Sequence, residues 1–370
     1  MKYYLVAGEA SGDLHGANLM KALKARDQQA EFRYFGGDLM QAEGGTLVKH
    51  YADMAFMGFI EVVANLQTIL KNMAFCKQDI SGYQPDVLIL IDFPGFNLKI
   101  AEYAKKNNLL VCYYISPKVW AWNQKRVLKI KRVVDHMFCI LPFEVDFYKQ
   151  WGMQVDYVGN PLLDATAAFK PDAEFYEHNH LPKKKIIALL PGSRKQEISR
   201  LLPDMLGVTE QFADHQFVIA GAPSFNVDFY TQFLGEKKIP VLFNATYDLL
   251  TNADAAIVAS GTATLETSLF NVPQVVVYKG NPVSIGIARM LVKIRFISLV
   301  NLIMDKLVVK ELIQQDCSPQ TIATELDLIV NNKSYRDTML SNYDELDVRM
   351  GQPGASAKTA ALIIKYAAKK

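Results

Sequence analysis

Apolar residues along the chain fall into short unbroken runs, each about one strand long. Tyr3–Ala7, Val87–Ile91, Leu109–Ile115 and Met137–Leu141 make a first series. Helical patterns separate them. Continuous rather than alternating apolar strands imply parallel sheets covered by helices on both faces. The polar, proline-marked segment ATAAFKPDAEFYEHNHLPKKK then breaks the rhythm, and Ile186–Leu190, Phe217–Ala220, Ala255–Val258 and Gln274–Val277 restart it. The pattern predicts two α/β domains joined near Ala165–Lys185, spanning residues 1–168 and 185–340. A terminal segment, 341–370, ends in the helical stretch ASAKTAALIIKYAAKK, which no strand follows. That helix is expected to pack back across a domain boundary.

One helical pattern carries a broad apolar face. In MGFIEVVANLQTILKNM, Phe59, Val62, Val63, Leu66, Ile69, Leu70 and Met73 share a face that Ile60 widens. Such a face normally turns to its own core. The alternative is an interfacial helix that touches a bilayer or acyl chains. The stretch SPKVWAWNQKRVLKIKRVVD interleaves Lys118, Lys125, Arg126, Lys129, Lys131 and Arg132 with Trp120 and Trp122. Tryptophan with basic residues suits an anionic membrane surface or a phosphorylated lipid; RNA is a rival that the near-neutral charge and the lack of any RNA-binding signature disfavour, and a solvated helix face is the default.

Composition narrows the classes. The chain has 370 residues, 50% of them hydrophobic, enough for two cores. Its net charge of +2 implies no nucleic-acid partner. Four cysteines are scattered without a C-x-x-C pair, so neither a zinc ribbon nor a disulfide framework is indicated. The opening apolar run is too short for a signal peptide, and no apolar run reaches a membrane span of about 20 residues. The expected setting is cytoplasmic.

Four loops carry candidate chemistry. The first, GEASGDLHG after Tyr3–Ala7, places Gly8, Gly12 and Gly16 at every fourth residue. This is not the tighter G-x-G-x-x-G spacing of a dinucleotide loop, and Glu9 and Asp13 would oppose a phosphate. Asp13 either caps the helix or faces a substrate with hydroxyls, amides or cations. The second loop, Pro191-Gly192-Ser193-Arg194, joins a buried strand to a helix. Backbone approach at Gly192, a cap at Ser193 and the Arg194 guanidinium suit a diphosphate. The third repeats this design: Ser260, Gly261, Thr262 and Thr264 open a helix, and Glu266 can accept the two ribose hydroxyls of a nucleotide. Together the second and third loops assign the nucleotide to the second domain. The fourth loop places Asp92 after five apolar residues, at a strand's carboxyl end, with Asn97 beyond it. Asp92 is either a turn residue or a general base that deprotonates a sugar hydroxyl.

These segments together resemble the lipid-A-disaccharide synthase family. The resemblance is carried in order by VAGEASGDLHGA, MQAEGG, MGFIEVV, PDVLILIDFPGFN, YYISPKVWAWNQKRVLKIKR, LPFE, LLPGSR, ASGTATLE and VVKELIQ, from residue 6 to residue 314. It implies a GT-B fold: two Rossmann-like domains whose parallel sheets face a cleft, with the C-terminal helix packing on the N-terminal domain. It implies an inverting glycosyltransferase that joins UDP-2,3-diacylglucosamine to 2,3-diacylglucosamine 1-phosphate. The product is a β-1,6-linked disaccharide, with release of UDP. Asp92 matches the family's proposed base, Arg194 its diphosphate-side arginine, and Ser260–Glu266 its UDP loop. Gly192 and Ser193 complete the UDP set. Glu9, Ser11, Asp13 and His15, with Asn97, Ser116 and Trp120, form the expected acceptor side. The chain has Gly95 where the family often has a second aspartate, and Val300 where it often has proline.

The resemblance implies no cofactor, and the absence of a D-x-D motif weakens a metal requirement. Diacylated substrates favour acyl or membrane contact for Phe59, Ile60, Val62, Val63, Leu66, Ile69 and Leu70. They also favour peripheral attachment to the anionic inner face of the inner membrane; a homodimer stays open. The rivals are a UDP-sugar 2-epimerase, a cell-wall precursor glycosyltransferase and a non-catalytic two-lobed solute-binding protein.

Overall fold

A computed structural model describes residues 1–54, 65–280 and 295–369. The chain forms two compact units. The first contains Met1–Asp164 and Gln352–Lys370; the second contains Ala165–Gly351. The crossing back to the first unit thus falls at Gly351–Gln352, later than residue 341.

The first unit holds β1 (Lys2–Ala7), β2 (Glu31–Gly36), β3 (Thr46–His50), β4 (Val87–Ile91), β5 (Leu110–Tyr114), β6 (His136–Cys139) and β7 (Asp156–Tyr157). They pair in parallel in the order β3-β2-β1-β4-β5-β6-β7. Both faces of the sheet are covered. Tyr4, Val6, Leu88, Leu90, Val111 and Tyr113 enter one core, and Tyr3, Leu5, Val87, Ile89, Cys112 and Tyr114 the other. Because strand side chains alternate, both sets must be apolar, and the sequence therefore reads as unbroken apolar runs.

The C-terminal helix Ala355–Ala367 supplies Ala360 and Ile363 to the second of these cores. Tyr366 stacks on His136 at 3.6 Å between ring centroids and donates its hydroxyl to Asp156 at 2.9 Å. The helix does return to the first unit, where it finds the apolar cover that no strand of its own provides.

The second unit holds β8 (Ile186–Leu190), β9 (Gln216–Gly221), β10 (Val241–Phe243), β11 (Ala253–Ala259), β12 (Gln274–Tyr278) and β13 (Glu311–Ile313). Their parallel order is β10-β9-β8-β11-β12-β13. Its helix Lys195–Leu206 buries Ile198, Leu201, Leu202 and Met205, the helical i, i+3, i+4, i+7 spacing.

Both sheets are doubly wound, and the strand order reverses between β1 and β4 in one and between β8 and β11 in the other. Ligands of open α/β sheets bind at the carboxyl ends of strands flanking such a reversal. All four candidate loops follow these strands.

Of the broad apolar stripe, Phe59, Ile60, Val62 and Val63 lie outside the described residues. The helix Leu66–Tyr83 splits the remainder. Leu66 and Leu70 are exposed, Ile69 packs against the core and Met73 is buried.

Candidate active site

In the first unit, Asp92 and Phe93 join β4 to the helix Pro94–Lys106 with φ of 42° and 47°. Two consecutive non-glycine residues in the left-handed region store strain of order 1–3 kcal/mol each. The surroundings hold them there. Asn97, fully buried, donates Nδ2 to the carbonyls of Val6 (3.2 Å), Ile91 (3.2 Å) and Asp92 (2.8 Å). Tyr113 donates its hydroxyl to the Asp92 carbonyl. The Phe93 ring lies over Gly8, where a Cβ would sit 2.3 Å from it. That contact, rather than a ligand, explains the first glycine of the opening loop.

The Asp92 carboxylate accepts the Phe93 N–H and has no ion pair among the described residues. Burial, and then the Glu9 charge at the end of β1, push its pKa up to about 6. Lys118, on the loop after β5, pulls it back down. Glu9, Asp92 and Lys118 thus act on one another from the loops after three adjacent strands, β1, β4 and β5. Ile115, a β-branched residue at φ 65°, opens the loop that carries Lys118.

Other expected acceptor-side residues turn inward. Asp13 is buried, and its carboxylate accepts the N–H groups of Gly37 (2.7 Å), Leu39 (3.0 Å) and Met40 (3.1 Å). It caps the short helix Asp38–Ala42 rather than its own helix. Asn97 ties strand ends together and caps no helix. Ser116 is buried and bonded to the Tyr148 hydroxyl at 2.8 Å. Trp120 is buried edge-on to Phe143, at 4.9 Å between centroids. Both lie against Glu144, which is buried, accepts the Leu141 N–H at 3.1 Å and is pushed up to about 7 by burial. His15 packs edge-on to Tyr114, and burial lowers its imidazole to about 4, so it is neutral near pH 7. Glu9 is half-buried and Ser11 exposed on the first helical turn.

In the second unit, Gly192 has φ 105°, a region that strains any side chain, and Glu197 folds back over it. The Ser193 N–H donates to Glu197 Oε2 at 3.1 Å. The cap expected of Ser193 is therefore supplied by Glu197, while Arg194 is the N-cap residue of Lys195–Leu206, without a side-chain cap. The Arg194 side chain is exposed, and its guanidinium has no ion pair or hydrogen bond among the described residues.

Gly261 caps the helix Thr262–Leu269, and Gly261 and Thr262 are exposed. Ser260 donates to the Ile297 carbonyl at 3.0 Å, and buried Thr264 donates to the Gly261 carbonyl at 2.8 Å. Those two hydroxyls are committed to the fold. Glu266 is half-buried; its Oε1 accepts the Tyr247 hydroxyl at 3.0 Å. Burial raises its pKa, and the Tyr247 bond opposes the rise.

The sequence pattern does not mark Glu197 or Tyr247, and it does not place Lys118 at Asp92. Lys118 was legible only as one of a basic group, and neither Glu197 nor Tyr247 stands out by residue type. Among the described residues, no group of three or more His, Cys, Asp or Glu is arranged to hold a metal ion. A cavity of about 640 Å³ in the second unit is lined by Lys183–Lys185 and Thr251–Asp254, at the amino ends of strands. It is remote from the chemistry at the carboxyl ends.

Two doubly wound parallel units, each with polar loops at its strand-order reversal, define the GT-B fold. A structure of UDP-GlcNAc 2-epimerase from Neisseria meningitidis bound to UDP-GlcNAc is similar, with a TM-score of 0.70 at 12% identity over 100% of both chains. The calicheamicin glycosyltransferase gives 0.60 at 13% identity, over 100% of this chain and 98% of its own. At these identities the likeness is one of fold.

The sequence profile described as lipid-A-disaccharide synthetase matches residues 3–363. The lipid-A-disaccharide synthase of Syntrophus aciditrophicus is 41% identical, over 97% of this chain and 96% of that protein. The one from Trichlorobacter lovleyi is 38% identical, also over 97% and 96%. The chain belongs to the lipid-A-disaccharide synthetase family.

Proposed function

We propose that the protein transfers 2,3-diacylglucosamine from its UDP derivative to 2,3-diacylglucosamine 1-phosphate, giving the β-1,6-linked disaccharide and UDP. Family membership supports the reaction. The observation that carries the mechanism is Asp92, a strained, half-desolvated carboxylate without an ion pair among the described residues, next to the β1/β4 reversal. Asp92 takes the proton of the acceptor's 6-hydroxyl. That oxygen bonds to the donor's anomeric carbon from the face opposite the diphosphate. The anomeric C–O bond breaks and its electron pair leaves with UDP, so the centre inverts. Arg194 and the helix start behind it stabilise the departing charge, and Glu266 accepts the ribose hydroxyls.

The test is acceptor dependence. UDP release from UDP-2,3-diacylglucosamine should require the 1-phosphate acceptor; release or isomerisation of the donor alone would favour an epimerase-like reaction. Arg194→Ala removes a charged donor present before and during bond cleavage. It should weaken UDP binding by about 10- to 100-fold and also slow turnover, measurable by calorimetry and steady-state kinetics.

The base reading also fixes a pH dependence. Only the ionised carboxylate accepts a proton, so activity should fall as pH drops through about 6. Lys118→Met removes an attractive charge and should move this acid limb to higher pH. Glu9→Gln removes a repulsive one and should move it lower. Shifts of the same sign in the two pH–rate profiles would contradict the arrangement.

The same reading sets the work at the anionic inner face of the inner membrane, with peripheral attachment. Among the described residues, no helix is long and apolar enough to cross a membrane. Exposed Leu66 and Leu70, one turn apart, support contact with acyl chains, and exposed Trp122 with Arg126 over its ring at 5.0 Å supports an anionic surface.

A further inference from the structure

We propose that Tyr247 is a positioning residue for the nucleotide: it orients the Glu266 carboxylate toward a ribose diol and so sets the preference for a ribonucleotide. This rests on the reading of Glu266 as the ribose acceptor.

Tyr247 lies on the helix Thr246–Thr251, and Glu266 on Thr262–Leu269. The tyrosine ring cannot choose its place freely. It meets Phe169 edge-on, with centroids 5.4 Å apart at 86°, and Phe270 at 4.9 Å and 47°. Phe169 and Phe270 also meet edge-on, at 5.7 Å. Each ring of the trio touches the other two, and such pairs are favourable beyond the area they bury. Phe270 follows Glu266 by four residues, so the trio lies on the carboxylate's side of its helix. The phenol is thereby aimed at Oε1, with which it makes its 3.0 Å bond.

That bond leaves Glu266 short of partners. An ionised carboxylate has about four acceptor sites, and here a half-buried one is met by a single neutral donor among the described residues. Burial of an under-bonded carboxylate is unfavourable unless further donors arrive. A ribose diol brings two. Burial and the neighbouring carboxylate both raise the phenol's pKa, so Tyr247 stays a donor throughout the working range. A bond of this kind removes rotamer freedom from Glu266 before the nucleotide binds.

The test uses calorimetry with UDP and with 2′,3′-dideoxyuridine 5′-diphosphate, which lacks the diol. Tyr247→Phe keeps the ring and deletes the hydroxyl. It should weaken UDP binding about five-fold and leave the dideoxy nucleotide within about two-fold. Glu266→Gln should also lose discrimination, and the double variant should bind UDP no more than about two-fold more weakly than Glu266→Gln alone. Tyr247→Phe that weakens both nucleotides equally, or neither, while Glu266→Gln loses discrimination, overturns the role of Tyr247 and leaves that of Glu266 standing. A Glu266→Gln variant with full discrimination overturns the ribose reading and this inference with it.

Discussion

Asp92→Asn should lower kcat by roughly 10²–10⁴ while UDP binds the variant as tightly as the native protein. The amide has the shape of the carboxylate but cannot take the acceptor's proton. Its backbone restraints survive, because Asn97 and Tyr113 hold the residue's carbonyl rather than its side chain. Asparagine also tolerates the left-handed conformation better than most residues, so the elbow should fold. Near-normal turnover by a folded variant would remove Asp92 as the base. Glu9, the other half-buried carboxylate at this strand reversal, would then be tested next. Arg194→Ala differs by losing binding as well as rate, so the two variants separate the proton-transfer role from the leaving-group role.

Asn97→Leu should destabilise the first unit by about 2–4 kcal/mol, since it removes a buried donor shared by three carbonyls and keeps the volume. The transition of that unit should fall by about 5–15 °C in a thermal scan. Turnover measured below the transition should also fall, because the left-handed turn at Asp92 and Phe93 loses one of its two clamps on the Asp92 carbonyl. If the midpoint drops and kcat is unchanged, the clamp is structural only. If neither changes, the bonds from Asn97 contribute nothing measurable.

Legibility in the sequence followed burial. Val87–Ile91 and Ile186–Leu190 are legible with their observed ends because strands covered on both faces leave no polar interruption. Glu31–Gly36 is not legible as a strand although it lies inside the sheet. Arg33 interrupts its apolar run, and the partner that makes Arg33 tolerable there, Asp79, is distant in sequence and 2.6 Å away in space. Glu311–Ile313 was too short to register. Strand-end loops were legible for the same reason as the strands: a buried run that stops at glycine, proline or a carboxylate marks a carboxyl end.

What each side chain does there was less legible. Asp13 looks like a first-turn acid, and nothing in its neighbourhood says that its oxygens serve Gly37, Leu39 and Met40. Ser116 and Trp120 stand in a specific motif, yet the motif is largely internal packing around Glu144. Lys118 sits within the same motif and looks like part of a basic surface, although from the loop after β5 its charge acts on Asp92. Ser260 and Thr264 illustrate a general limit: a small hydroxyl at a helix start serves its own backbone as readily as a ligand.

The most direct measurement is made on the native protein with UDP-2,3-diacylglucosamine and 2,3-diacylglucosamine 1-phosphate. Mass analysis follows the products, and nuclear magnetic resonance reads the anomeric configuration of the new linkage. The account predicts one disaccharide 1-phosphate for each UDP released, with a β-1,6 linkage from an α-linked donor. An α-linked product, or consumption of the donor without a disaccharide, would contradict it.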